Sequence, residues 1–345
     1  MAPERRRQSR PIIVVGAGVV GAAIACHLAR EDRPVVVLDG ARPGSGATGD
    51  SFAWIGLAKN RADVFADPLR QLGAEEFDRL VQDLPEPVGL RRSGAITWED
   101  TVARTRAFVA AHRARGHAVE LLSAAAALER EPALRWAPDV VAFAPDDGGV
   151  DPVALTRAML RDAEAHCAEI RLEEPVGSVI VEEGRVVGVE TSAGEVRGST
   201  VVLAAGTAIP ALAATAGVRA EVESSPCALI RFRTPEPLVR GILSTPDFEI
   251  RQLDDTTLIA AEDVPPGFDG DPRELAEPTL RAIREELRGG DRVEVIDAVI
   301  ADRPIPAGGR LLGFADGIDG LYLAAVHPAI MLAGAIGARV ARDLA

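Results

Sequence analysis

The run Gly16-Ala17-Gly18-Val19-Val20-Gly21 places three glycines at a spacing that lets backbone close on a phosphate. Each glycine has a mechanical duty in that pattern. Gly16 permits a tight turn, Gly18 lets the main chain approach a pyrophosphate, and Gly21 lets a helix lie against a strand. The helix opening at Val19 and Val20 would present free N–H groups and a partial positive charge to the phosphates. Asp39 follows at the end of the next apolar run, where its carboxylate can accept hydrogen bonds from a ribose diol and would repel a 2′-phosphate. This is the chemistry of a dinucleotide site.

The flanking elements decide whether the glycines can act this way. The segment from Pro11 to Ala29 carries no charge and follows three arginines, so it also has the look of an export signal or a membrane anchor. Its internal pattern argues for a folded unit. Ile12 to Val15 is a β-branched block suited to a buried parallel strand, and Ala22, Ala23, Ala25, Leu28 and Ala29 suit a closely packed helix. Val35 to Leu38 then gives a second strand, ending on Asp39. Strand, glycine turn, helix, strand and acid in that order form a nucleotide-binding fingerprint.

The chain has 345 residues, enough for two domains, with 47% hydrophobic and 26% charged residues, as in ordinary folded proteins. A formal net charge of −14 opposes binding to nucleic acid or to an anionic membrane surface. Its three cysteines lie far apart with no C-x-x-C, and its five histidines are scattered, so neither a disulfide framework nor a metal site is expected. With no second span-like segment, the expected compartment is the cytoplasm.

Further along, residues 40–56 form a small-residue loop containing Gly40, Ala41, Ser45, Gly46, Ala47, Thr48, Ser51 and Phe52. Such a loop can lay several N–H groups along an extended ligand. Val176–Val181, Arg185–Thr191 and Glu195–Arg197 read as an antiparallel meander with turns at Glu183-Gly184 and Ala193-Gly194. The meander returns to a buried strand, Val201–Ala204, followed by Ala205 and Gly206. The stretch "GLYLAAVHPAIMLAGAIGARVARDLA" reads as a strand, a loop and a terminal helix. Strands are also expected at 94–99, 227–234, 248–253 and 257–262, with a helix between Pro272 and Arg288 lying over that sheet. The alanine-rich run at 123–128 suits a helix.

Taken together, the fingerprint with Asp39, the loop "GSGATGDS", the strand "VVLAAG", the pair Arg303-Pro304 and the terminal "GLYLAAVHPAIMLAGAIG" resemble the D-amino-acid oxidase-like superfamily of FAD-dependent oxidoreductases. That group includes glycine oxidase, sarcosine oxidase and D-amino-acid dehydrogenases. The resemblance extends over essentially the whole chain and implies an α/β (α+β) fold. A Rossmann-like FAD-binding domain with the β-meander inserted would carry a second, antiparallel-sheet substrate domain. The FAD domain would take residues 10–56, 146–215 and 300–345, and the substrate domain residues 57–145 and 216–299. Val176, Ala204, Ala205 and Gly206 would join the cofactor site.

The implied reaction is oxidation of the C–N bond of a small amine or amino acid to an imine, with oxygen or another acceptor taking the electrons. A hydroxy-acid dehydrogenase on the same scaffold is an alternative, as is a flavin-bearing subunit that needs a partner chain. Arginine can grip a carboxylate with two parallel donors. The resemblance puts Arg303 at the mouth of the active site, with Arg251 on a substrate-domain strand as a second candidate. It also gives the loop of His327, Pro328, Ala329, Ile330 and Met331 the task of supplying N–H groups to the flavin, and His327 a part in proton transfer. Three departures from the family pattern stand out. Pro328 has no N–H to donate. Tyr322, the only tyrosine, falls in a buried strand. No cysteine follows Cys227, so the FAD is expected to be non-covalent. Phe52 and Trp54 either approach the flavin ring or plug the domain junction.

Overall fold

A computed structural model describes residues 10–56 and 68–345. The uncharged segment that could have been a membrane anchor splits as its glycines require. Strand β1 (Ile12–Val15) ends at Gly16, and helix α1 (Val19–Arg30) starts after Gly18. Strand β2 (Val35–Leu38) then pairs parallel to β1, with Ile12 opposite Val35. No helix among the described residues is long and apolar enough to cross a membrane.

Six strands form the first sheet, in the order Arg310–Phe314, Leu321–Val326, Thr200–Leu203, β1, β2 and Glu169–Arg171. All neighbours are parallel except the edge strand Arg310–Phe314. The strands are apolar on both sides because both faces are covered. Ile12, Val14 and Val202 face a core shared with α1 and the helices Pro152–Ala165 and Ala333–Asp343. Ile13, Val15 and Val201 face a second core. There they meet Val179, Val186 and Val189 of the meander, whose strands are Val176–Glu182, Arg185–Thr191 and Gly194–Arg197. The helix Pro68–Asp83 falls in the range grouped by sequence with the substrate domain. It nevertheless buries Phe77 and Leu80 in the same core as α1.

The second sheet has eight strands, in the order Glu294–Pro306, Val222–Arg233, Thr257–Asp263, Glu249–Gln252, Ile242–Ser244, Ala95–Thr97, Val140–Ala144 and Glu120–Ser123. It is antiparallel except where Ile242–Ser244 runs parallel to Ala95–Thr97, a mixed pair the sequence reading did not include. Alternation along Val222–Arg233 sorts the two faces. Ile230 and Phe232 meet Leu280 and Ile283 of the helix Ala276–Glu286, as the helical spacing predicts. Leu229 points the other way, into a cluster with Phe52 and Trp54. The strand Glu294–Pro306 pairs with Val222–Arg233 along its whole length, so residue 300 lies mid-strand.

One carboxyl at the back of this sheet titrates near neutrality. Burial, reinforced by Asp247, pushes Glu286 up from the usual range to about 7. A raised folded-state pKa means the folded protein holds this proton more tightly than the unfolded chain does. The resulting stability is fully present below about pH 4.5 and is lost as pH rises through 7. Glu286→Gln keeps the shape and removes the titration. At pH 8 the variant should exceed the wild type by about 1 kcal/mol in denaturant unfolding, a value reduced by solvent screening of a half-buried group. The two should converge near pH 5. A constant difference between pH 5 and 8 would remove Glu286 as its source.

Candidate functional site

A cavity of about 520 Å³ runs from the carboxyl ends of the parallel strands to the inner face of the eight-stranded sheet. That volume is within the range of ligand pockets, and the end of a parallel sheet is where open α/β folds bind ligands.

The fingerprint forms one end. Gly16 has φ +115, and a Cβ there would stand 2.5 Å from the Ala204 carbonyl oxygen. A Cβ on Gly21 would come within 1.9 Å of the Gly16 carbonyl oxygen. Both positions are therefore closed to any side chain by neighbouring backbone. The loop 44–48 is bound back onto this turn. Gly44 N–H donates to the Ala17 carbonyl at 3.2 Å, and Val19 N–H donates to Thr48 Oγ1 at 3.1 Å. Thr48 thus occupies the first orphan donor of α1. Asp39 spans the turn: Oδ2 accepts from Ala17 N–H at 2.6 Å and Oδ1 from Ala41 N–H at 2.8 Å. Each carboxylate oxygen keeps acceptor capacity beyond one bond.

Of the residues expected to hold the cofactor, Gly16, Gly18, Val19, Val20, Asp39, Gly40, Ser45, Gly46, Ala47, Thr48, Ser51 and Phe52 line this cavity. Val176, Ala204, Ala205, Gly206, Pro328, Ala329, Ile330 and Met331 do so as well. Ala17 and Gly21 are buried behind the wall, and Ala41 is exposed beside the turn, where its N–H donates to Asp39. The loop after Leu321–Val326 offers fewer N–H groups than expected. His327 N–H donates to the Gly309 carbonyl at 3.1 Å, Leu332 N–H to the Ala329 carbonyl at 3.2 Å, and Pro328 has no N–H. Ala329, Ile330 and Met331 supply what remains at the cavity.

At the far end, Arg303 and His327 both line the cavity. Arg303 is partly exposed and tied to the neighbouring strand. Its Nε donates to the Ser225 carbonyl at 3.3 Å, and Nη2 donates to Ser225 Oγ at 3.1 Å. Nη2 also donates to the Pro226 carbonyl at 3.5 Å and stands 3.9 Å from Asp263 Oδ1, which leaves the two N–H groups of Nη1 for an anion. Arg251 is different, and the expectation that it meets substrate is corrected. It is 4% exposed and outside the cavity lining. Its Nε donates to the Phe52 carbonyl at 2.7 Å and Nη2 to the Val150 carbonyl at 2.9 Å. Burial lowers its pKa to about 10, which leaves it charged at neutral pH. Arg251 positions the chain behind Phe52.

Sequence reasoning missed several wall residues: Asp50, Cys227, Leu229, Ala261 and Asp302. Cys227 and Leu229 alternate with Ala228 and Ile230, so assigning Ile230 to the helix-covered face would have turned both toward the site. Asp50 accepts from Arg231 Nη2 at 3.1 Å, and the same nitrogen donates to the Gly49 carbonyl at 3.3 Å. This contact ties the small-residue loop to the second sheet. Tyr322, fully buried, donates to Asp343 Oδ2 at 2.6 Å, well inside the fold. Among the described residues no cluster of three or more His, Cys, Asp or Glu could hold a metal ion.

Residues 11–342 match the DAO family, described as FAD dependent oxidoreductase. The chain belongs to that family. It is an FAD-dependent oxidoreductase, and its glycine turn, where backbone closes Gly16 to any Cβ while Gly16 and Gly18 face the cavity, fits the pyrophosphate of that cofactor. This oxidoreductase is 30% identical over 212 residues to a 4-methylaminobutanoate oxidase (formaldehyde-forming) of Paenarthrobacter nicotinovorans, 60% of this chain but 26% of that protein. The chain thus spans about a quarter of that relative's length. It is 28% identical over 338 residues to a glycine oxidase of Pseudomonas aeruginosa, covering 92% of this chain and 90% of that one. The crystal structure of glycine oxidase from Geobacillus kaustophilus superposes with a TM-score of 0.84 at 24% identity, over 97% of this chain and 94% of that one. The fold is shared.

Proposed function

We propose that this enzyme oxidises the C–N bond of a small amine or amino acid to an imine. The carrying observation is that Arg303 and His327 line the cavity together with apolar Leu229 and Ala261, away from the fingerprint. When bound, FAD supplies the two-electron acceptor. The chain supplies orientation. Arg303 grips a substrate carboxylate, the sheet wall takes the apolar part, and His327 holds or moves the amine proton. The substrate carbon loses a hydride and its nitrogen a proton, leaving C=N. Water then hydrolyses the released imine to an oxo product and a free amine. Oxygen or another carrier takes the electrons onward.

The nucleotide end reads as an FAD domain built on the six-stranded sheet and including the helix Pro68–Asp83, and the eight-stranded sheet, with its edge strand running on to Pro306, reads as the substrate domain. The acidic net charge and dispersed cysteines support a cytoplasmic setting. The FAD is held non-covalently, since no cysteine follows Cys227. Acid precipitation should leave the flavin in the supernatant. Flavin in the pellet would contradict this and turn attention to the Cys227 thiol in the wall. Asp39 is the ribose ligand, and one charge-assisted hydrogen bond contributes about 1.5–3 kcal/mol. Asp39→Ala should weaken FAD binding about tenfold or more in titrations of apoprotein. Unchanged affinity would take Asp39 away from the ribose.

The substrate class is tested by products. Incubation with primary and N-methyl amino acids should yield ammonia or methylamine in equal amount with the oxo acid. Turnover of 2-hydroxy acids but no amine would favour a hydroxy-acid dehydrogenase instead.

A further inference from the structure

Two buried polar side chains, Asp147 and Arg251, brace the apolar end of the cavity from behind. Phe52 and Trp54 line it, their ring centroids 6.2 Å apart and tilted by 49°. Trp54 packs in one cluster with Leu229 and Ala261. Its indole Nε1 donates to Asp147 Oδ2 at 2.7 Å, and Asp147 is 3% exposed. Asp147 has no room to move away. A Cβ on Gly56 would stand 2.1 Å from its Cγ, and Gly94 N–H donates to its carbonyl at 2.8 Å. The Trp54 backbone pairs antiparallel with Gly149, and Val150 N–H donates to the Ala53 carbonyl at 3.2 Å. Between the two rings, Ala53 holds a left-handed φ of +53, which a non-glycine residue rarely adopts. Arg251 fixes the Phe52 carbonyl.

A phenylalanine would fill such a wall without burying a carboxylate, and a buried charge is costly unless its partner is well placed. The arrangement therefore favours orientation of the indole over simple filling. A hydrogen bond between two buried groups holds a ring in one rotamer far better than apolar contact does. We propose that Trp54, oriented by Asp147, sets the size of the substrate's side chain and confines it to hydrogen or a methyl-sized group. Asp147 is then a positioning residue and Trp54 a specificity determinant. This rests on the reading that a small amine or amino acid binds at this end of the cavity.

The test uses FAD-loaded protein and two readouts. The first is calorimetric binding of unreactive carboxylates of rising size: acetate, propanoate and 4-methylpentanoate. The second is kcat/KM for glycine, alanine and leucine. Trp54→Ala should raise the large-to-small ratio at least tenfold in both. Trp54→Phe, which cannot donate to Asp147, should move both ratios the same way by a few-fold. Asp147→Asn keeps an acceptor and should restore ratios near those of the wild type. Unchanged ratios in folded Trp54→Ala would overturn the size gate. Wild-type ratios in Trp54→Phe would overturn the role of Asp147, even if no Asp147 variant folds. Should carboxylate binding shift as expected while no amine is oxidised, the gate stands and the proposed reaction fails. If amines are oxidised but neither ratio moves, the reaction stands and the gate fails.

Discussion

Arg303→Ala should lower kcat/KM for a carboxylate substrate by on the order of 10²- to 10⁴-fold while the FAD content stays the same. The magnitude follows from losing two charge-assisted hydrogen bonds, each contributing about 1.5–3 kcal/mol. The FAD is unaffected because Arg303 is anchored to Ser225 on the second sheet, apart from the fingerprint. Arg303→Lys separates charge from geometry. Lysine keeps the charge and loses the planar fork, so the substrate sits askew as well as loosely. Slower flavin reduction at saturating substrate, together with a raised KM, is the expected signature. Loss of FAD would move Arg303 into the cofactor shell. Wild-type kinetics on a confirmed carboxylate substrate would remove it from the site.

Arg251→Met should act on stability instead. The substitution strips the Phe52 and Val150 carbonyls of their donor inside the protein. A buried acceptor left unsatisfied costs about 1–3 kcal/mol, so the variant should lose about 2–5 kcal/mol in denaturant unfolding. The guanidinium also stands 5.4 Å from the Phe52 ring centroid, so stacking is lost with it. Arg251→Lys should fall between the two, since an ammonium cannot span both carbonyls in the same plane. Variants that are as stable as the wild type but fail to bind substrate would reverse the assignment and return Arg251 to the cavity.

The contrast between these two arginines shows what the sequence could and could not convey. Both stand on strands beside apolar residues, and both looked able to meet a carboxylate. Which one reaches the cavity depends on sheet register and on the segment packed over each strand, and the deciding partners are distant: Ser225 lies 78 residues from Arg303, and Val150 lies 101 from Arg251. Arg303 pairs with Ser225, while Arg251 pairs with Ile259 and points at the returning chain near Val150. The nucleotide end was far more legible. There a single stretch of about thirty residues carries strand, turn, helix and acid, and Gly21 is demanded by the Gly16 carbonyl within the same turn, although Gly16 itself is closed off by distant Ala204. The helix at 276–286 was legible for the same local reason. Of the strand Glu294–Pro306 only the stretch ending at Arg303 was legible, and its full length and place at the edge of the second sheet were not, because its one partner strand, Val222–Arg233, lies about seventy residues earlier. The loop 40–56 was readable as a ligand-facing segment, but the clamp on Trp54 was not. Asp147 lies far along the chain, and nothing local marks it as a partner.

The central claim is that this enzyme takes two electrons from the carbon bearing an amine. Anaerobic mixing of the FAD-loaded protein with glycine, sarcosine, D- and L-alanine, and the matching 2-hydroxy acids tests it most directly. Stoichiometric bleaching of the flavin by at least one of the small amines is the expected result, weakened in Arg303→Lys, with none by the hydroxy acids. Bleaching by hydroxy acids alone would contradict it, whereas equal bleaching by an amino acid and its amide would leave the reaction standing. The latter result would show that no carboxylate anchor operates at Arg303.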